Sequence, residues 1–289
     1  MIVEAFAKIN WCLDITGVQE DGYHLLDMLM QPVSLADEII LQPAEDLSIT
    51  TGGFPPLRAD ASNLAYRAAA ALRERTGTSL GAAIHVEKRI PVGAGLGGGS
   101  VDAAAVLKGL NRMWGTGLSE EELERTGLSL GADVPFCLRG GLTRTRGIGE
   151  QMEDHSCRSN WWLIIIQPCR GLSTGEVFSA WHAGAAPERP DTEGALRALE
   201  TGDLDLLSRS LRNVLQPVSV QMRPAIGDAI LALKERGAAT ALMTGSGSAV
   251  FGVFRSGRQA RAAFPPLRQR WRSTFLCHSQ SDSVRITEE

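Results

Sequence analysis

Polarity alternates along the opening segment 2-IVEAFAKINWCLDI-15. Val3, Ala5, Ala7, Ile9, Trp11 and Leu13 share one face of a predicted strand, while Phe6, Lys8, Asn10 and Cys12 share the other. An Asp-Gly turn is expected at 21–22, then an extended stretch to Leu35 and a short strand at 38–42. Ser62 reads as the N-cap of an alanine-rich helix that stops at Gly77. Residues 82–90 alternate again and run into a glycine-rich loop. Beyond the loop, Ser100 is placed to cap a helix whose Ala103, Val106, Leu110 and Met113 recur at helical spacing. Ser119 with Glu122 predicts a capping box for the next helix.

The second half opens with an apolar strand at 161–166. Helices are expected over 193–212 and 219–236. The segment 244-TGSGS-248 lies between apolar stretches at 241–243 and 249–254. A helix after Gly257 should break at Pro265 and Pro266, which lack amide donors, and a last strand is expected near 273–277. Strands and helices mix without a regular βαβ rhythm, and alternating strands imply burial on one face. That pattern predicts an α+β fold with antiparallel or mixed sheets and two domains, not a doubly wound parallel sheet. The turn-rich stretch 139–160 is the expected boundary, dividing the chain into residues 1–154 and 155–289.

Composition narrows the function classes. A chain of 289 residues with 44% hydrophobic content can build two cores, and a net charge of −4 offers no basic footprint for nucleic acid. Five cysteines and five histidines are scattered, without CxxC or HExxH, so no metal held by cysteine or histidine is expected. The thiols read as reduced and cytoplasmic. The start lacks a signal-peptide pattern, and the longest wholly apolar run, 161–166, is too short to span a bilayer. Small-molecule ligands are expected, with neither nucleic acid nor membrane as a partner.

Candidate chemistry concentrates in 91-PVGAGLGGGSVDAAA-105, where five glycines occupy the seven positions from Gly93 to Gly99. Glycine lets backbone N–H groups approach an anion without Cβ obstruction, and a helix start adds unpaired donors and a positive dipole end. A Walker A loop requires Gly-Lys-Ser/Thr at its end, and no lysine follows here. Gly93-x-Gly95-x-x-Gly98 formally matches a dinucleotide fingerprint, but about twenty residues on the chain starts a helix at Ser119 where an acidic strand end is required. A triphosphate cradle without a lysine fits, and so does a tight turn that merely packs strand against helix.

This loop resembles the phosphate loop of the galactokinase, homoserine kinase, mevalonate kinase and phosphomevalonate kinase (GHMP) superfamily. Three further stretches, 7-AKINWCLDITGVQEDGYHLLDMLMQPVSL-35, 128-LSLGADVPFCLRGG-141 with 147-GIGE-150, and 244-TGSGSAVFG-252, are similar to the branch acting on 4-diphosphocytidyl-2-C-methyl-D-erythritol. The resemblance implies an N-terminal ATP-binding domain, a C-terminal domain and a substrate cleft between them. It implies ATP, with Mg2+ as the nucleotide counter-ion, and transfer of the γ-phosphate to the 2-hydroxyl of the methylerythritol unit, in non-mevalonate isoprenoid precursor biosynthesis. Asp133 is then the catalytic base and Lys8 its partner. Pro91, Val92, Gly93, Ala94, Gly95, Leu96, Gly97, Gly98, Gly99, Ser100 and Val101 line the phosphates, while Asn63 and Lys88 lie near adenine. Asn10, Tyr23, His24 and Phe178 address the substrate, with Tyr23 and Phe178 stacking on cytosine and His24 reading its edge.

Plain structural readings compete at each position. Lys8 can be a solvated strand lysine, and Asp133, two residues before Pro135, can simply cap a helix. Phe178 can be core, Tyr23 and His24 a surface turn, and the TGSGS segment a tight turn. Departures from the family pattern are Val101 in place of a second serine, and Val214 and Gln216 where acidic residues are common. The Val101 amide is still expected to be available to phosphate. A kinase of the same superfamily acting on mevalonate, homoserine or a sugar is the alternative, followed by a non-catalytic binding protein on this scaffold.

Overall fold

The computed structural model describes residues 1–20, 22–53, 57–157, 160–182 and 188–287. Asp21 of the expected Asp-Gly turn lies outside them, and so do parts of the turn-rich stretches at 158–159 and 183–187.

Two long strands organise the first half: β1 (Ile2–Val18) pairs antiparallel with β2 (His24–Ala44). The extended stretch and the short strand expected around Leu35 are one continuous strand. Register shifts between Phe6 and Lys8 and between Asn10 and Cys12 interrupt the β1–β2 ladder on either side of Lys8 and Asn10. Such irregularities bend a strand and re-aim its side chains. The sheet is completed by β3 (Leu47–Gly53), β4 (Gly81–Lys88), β5 (Leu142–Gly147) and β6 (Gln151–His155). Among the described residues only β3 and β4 pair in parallel within it, so the sheet is mixed. A carboxy-terminal strand, not foreseen from the sequence, returns to β1 at the sheet edge. It runs from Val284 to Thr287. Helices α1 (Leu64–Thr76), α2 (Gly98–Met113), α3 (Glu120–Leu128) and α4 (Val134–Arg139) accompany this sheet.

The second sheet is antiparallel, in the order β10 (Thr274–His278), β7 (Trp162–Ile166), β9 (Val250–Phe254), β8 (Thr240–Met243). The returning edge strand is therefore β11. Around this sheet lie α5 (Thr174–Ala180), α6 (Thr192–Thr201), α7 (Leu204–Ser210), α8 (Gln216–Met222), α9 (Ala225–Glu235) and α10 (Gly257–Arg270). The core runs across both halves. Buried Trp11 of β1 meets Trp161 and Phe251 edge-on at centroid distances of 6.3 and 5.6 Å. Arg144 of β5 grips Asp27 of β2 with two hydrogen bonds of 2.9 and 2.8 Å and also reaches Glu193 of α6.

Local signals need several corrections. Asn63, not Ser62, caps α1, its side chain accepting from the Ala65 amide at 2.9 Å. The helix after the glycine loop starts at Gly98 with Gly97 at its N-cap position, so Ser100 sits inside the first turn. The helix expected over 193–212 divides at Gly202, whose φ of +84° ends α6 in the left-handed region. The 219–236 helix divides at Pro224. By contrast, α10 continues through Pro265 and Pro266. Ser256 caps it, and Ala260, Ala263 and Leu267 bury its inner face, so packing outweighs the lost donors. The capping box at Ser119 and Glu122 forms as expected.

Candidate active site

The glycine loop leads from β4 into α2. Gly93, Gly95 and Gly97 take φ values of +64°, +78° and +70°, where a side chain is disfavoured. Hydrogen bonds pin the loop from several directions. Lys8 N–H donates to Leu96 O at 2.9 Å, Ala249 N–H to Ala94 O at 3.0 Å, and the Gln167 amide to Val92 O at 3.2 Å. A Cβ on Gly95 would collide with the Thr244 carbonyl, so the loop touches the second half directly. In α2 the Val101 amide bonds to Gly97 O at 2.9 Å, leaving the amides of Gly98, Gly99 and Ser100 ahead of that first helical bond. This corrects the expectation for Val101: its amide is spent inside the helix and its side chain is core.

Across a cleft of about 510 Å³ from this loop stand Lys8, Asn10 and Asp133. Lys8 is 5% exposed, which removes the solvated-lysine reading. Its Nζ donates to Asn10 Oδ1 at 2.8 Å and lies 3.3 Å from Asp133 Oδ2. Asp133 occupies the N-cap position of α4, yet its side chain makes no capping bond. A carboxylate left uncommitted by its helix, facing a cleft beside a buried ammonium, is free to act on a ligand. Asn10 is held from the second half, its N–H donating to Thr244 Oγ1 at 2.9 Å. The TGSGS segment is thus more than a turn: Asn213 Nδ2 ties down Met243 O and Gly245 O at 2.9 and 2.8 Å, and Ser219 Oγ donates to Ser246 O at 3.2 Å. Gln216, one of the family departures, accepts from the Met243 amide at 3.0 Å.

Lys88 lies beneath the start of α2, in contact with Asp37 and 2.8 Å from Asp102 Oδ2, all three buried. The second Asp37 oxygen accepts from the amides of Arg89 and Ile90 at 2.6 and 2.8 Å. Lys88 borders the cleft, but its ammonium is committed to these carboxylates. Burial pulls the ammonium pKa down; Asp102 and then Asp37 outweigh it, so the net shift is upward. Burial pushes the Asp102 carboxyl up to about 7, against the pull of Lys88 and with added push from Asp37. An acid raised above its ordinary value of 3.8 supports the fold when protonated. That support is complete below about pH 4 and is lost as pH rises through about 7. Asp102→Asn should therefore flatten this part of the profile: relative to wild type, the variant's melting temperature should gain between pH 4 and pH 8. Parallel profiles over that range would show that Asp102 keeps an ordinary pKa.

Aromatic residues from both halves meet near the cleft. The rings of His24 on β2 and Phe178 on α5 lie 5.1 Å apart, and Phe178 borders the cleft. Tyr23 is 63% exposed, so His24 is the ring found against Phe178. Asn63 is not brought into the cleft; its amide is spent on the α1 cap and on Arg58 O at 2.9 Å. Sequence reasoning missed Asp37, Asn213 and Trp181. Their partners are remote along the chain, so no local spacing marks them. Among the described residues, no group of three or more His, Cys, Asp or Glu is placed to hold a metal.

Comparison with known proteins places the family and the fold. The model of the GHMP kinases N terminal domain matches residues 63–141, and that of the GHMP kinases C terminal domain matches 195–273. A 4-diphosphocytidyl-2-C-methyl-D-erythritol kinase from Alkaliphilus metalliredigens is 41% identical over 278 residues, covering 95% of each chain. One of the same description from Symbiobacterium thermophilum is 43% identical over 255 residues, covering 88% of this chain and 90% of its own. A crystal structure of 4-(cytidine 5'-diphospho)-2C-methyl-D-erythritol kinase superposes with a TM-score of 0.84 at 33% identity, over 96% of this chain and 99% of the other. Homoserine kinase from Cytophaga hutchinsonii, with a TM-score of 0.77 at 19% identity, over 99% of this chain and 96% of its own, shares the fold.

Proposed function

The chain belongs to the 4-diphosphocytidyl-2-C-methyl-D-erythritol kinases of the GHMP superfamily, and on that premise we propose how its residues carry the reaction. It is an ATP-dependent phosphotransferase that phosphorylates the 2-hydroxyl of 4-diphosphocytidyl-2-C-methyl-D-erythritol, a step of isoprenoid precursor biosynthesis. One observation carries the assignment of roles: the Lys8–Asp133 pair and the glycine loop border a single cleft. Asp133 accepts the hydroxyl proton as the substrate oxygen attacks the γ-phosphorus. The bond from that phosphorus to the β–γ bridging oxygen breaks, and ADP leaves. Lys8 offsets the negative charge gathered at the attacking oxygen and is oriented by Asn10. Phosphoryl transfer depends mainly on positioning and charge stabilisation. The loop supplies both, through backbone amides and the positive end of α2.

Mg2+ enters with the nucleotide in this reading. Magnesium keeps much of its coordination in phosphate oxygens and water. The Ser100 hydroxyl is an oxygen ligand bordering the cleft that suits it. When bound, the ion would neutralise charge on the phosphates. Five free thiols among the described residues agree with a cytoplasmic setting.

ADP release tests the reading, measured with cytidine diphosphate methylerythritol, mevalonate, homoserine and galactose in parallel. Turnover is expected with the first alone; turnover with another alcohol and none with the first overturns the substrate. The pyrimidine is proposed to enter between Tyr23 and Phe178, with His24 reading its edge. Stacking on one aromatic side chain contributes about 1–3 kcal/mol, or roughly 5- to 150-fold in affinity. Phe178→Ala should therefore raise the KM for the cytidylylated substrate by such a factor and leave ATP affinity near its starting value. His24→Ala should in addition erode the preference for cytosine over uracil. Unchanged kinetics in both variants would place the base elsewhere.

A further inference from the structure

His24 is held by two rings. Besides Phe178 it meets Trp181, at a centroid distance of 5.7 Å and an interplanar angle of 80°, an edge-to-face contact. The Trp181 amide closes the last turn of α5 onto Val177 O at 3.1 Å and Phe178 O at 3.2 Å, which fixes where the indole begins. The indole N–H is buried and has no hydrogen-bond partner among the described residues. An unpaired buried donor destabilises the free protein, and phenylalanine here would avoid it. Among the described residues the hydrogen-bonding end of the side chain is therefore idle, while its ring is engaged with a residue of the opposite half. None of the motifs that mark the nucleotide or acceptor sites includes Trp181.

We propose that Trp181 is a positioning residue for pyrimidine recognition: together with Phe178 it confines the imidazole of His24, so that the ring nitrogens face the edge of the incoming base. This rests on the reading that His24 and Phe178 receive the pyrimidine. Confinement matters because an imidazole free to change rotamer must be ordered each time substrate binds, and that ordering subtracts from affinity. An edge-to-face contact restricts the ring without using its nitrogens, which stay available to donate to or accept from the base.

Steady-state kinetics with the cytidine and uridine forms of the substrate test this, for wild type, Trp181→Ala, Trp181→Leu and Trp181→Phe. Trp181→Ala should raise the KM for the cytidine form roughly three- to tenfold, the cost of ordering one side chain, and should reduce the cytosine-over-uracil preference. Trp181→Leu, which fills the space without a ring, should behave like the alanine variant. Trp181→Phe should restore both quantities, with a melting temperature no lower than wild type. The KM for ATP should move least in all three. Wild-type base preference in the alanine and leucine variants would overturn the role of Trp181. So would a uniform loss for cytidine, uridine and ATP, or a phenylalanine variant that fails to restore selectivity. A wild-type enzyme inactive on the cytidine form would instead overturn the kinase reading beneath it, and the inference with it.

Discussion

Asp133→Asn is expected to lower kcat by about 10²- to 10⁴-fold, the usual contribution of a general base. The amide keeps the shape of the carboxylate and cannot accept the proton of the attacking hydroxyl. Folding should change little. Asp133 makes no capping bond to α4, and its side chain is 36% exposed, so its ion pair with Lys8 is partly screened by water. Lys8 keeps its 2.8 Å bond to Asn10 in the variant, which limits the disturbance of the buried ammonium. Three measurements separate chemistry from collapse: ADP release at saturating substrate, the Kd of a non-hydrolysable ATP analogue, and the melting temperature. A drop in turnover with the other two near wild type is the expected result. A kcat within threefold of wild type would remove Asp133 from the chemistry.

Gly97→Val should damage nucleotide binding and turnover together. Gly97 has φ +70°, and a Cβ there would stand 2.9 Å from Lys8 Cγ and 3.3 Å from Lys8 Cε. Forcing a β-branched residue into this conformation costs about 1–3 kcal/mol. The loop can relieve that strain only by moving its amides or by pushing Lys8 away from Asn10 and Asp133. ATP affinity should fall roughly 5- to 150-fold, and kcat should fall as well because the Lys8–Asp133 geometry shifts. A control isolates the strain: Gly77, at the end of α1, has φ +67° with open space around its missing Cβ. Gly77→Val should lower the melting temperature while leaving ATP affinity at wild type. If the Gly97 variant bound the ATP analogue as tightly as wild type, the loop would be a turn and not a phosphate cradle.

The features legible in the chain are those whose cause is local. Glycines clustered from Gly93 to Gly99 announce positive φ, and three of the five adopt it. Ser119 and Glu122 stand at capping-box spacing and cap each other, because both partners lie within one turn. Lys8 and Asn10, two apart, share a strand face, and their side chains bond to each other. Local signals failed where packing or a remote partner competes. Pro265 and Pro266 should end a helix on propensity alone, yet the buried face of α10 carries the helix through them. Ser100 is a good cap residue in the wrong place, since the positive φ of Gly97 starts α2 three residues earlier. The returning β11 does alternate, Val284 and Ile286 against Arg285 and Thr287, but four residues are too few for that alternation to mark a strand.

The chain alone, then, determined the glycine-rich loop, the family-like stretch from Ala7 to Leu35 and the mixed, alternating strands, since each depends on spacings of a few residues that backbone geometry imposes anywhere. Tertiary structure decided what surrounds those motifs. Lys8 reads as an exposed strand lysine until the glycine loop and Asp133 close on it. Asn10 is then anchored by Thr244, 234 positions away. Lys88 reads as an available cation until Asp37, 51 positions earlier, closes on it with Asp102. His24 reads as a surface turn until α5 brings Phe178 and Trp181 against it. These pairings come from burying two apolar sheets against shared elements, and the partner that burial selects for a side chain is set by the path of the whole chain, which no local periodicity records.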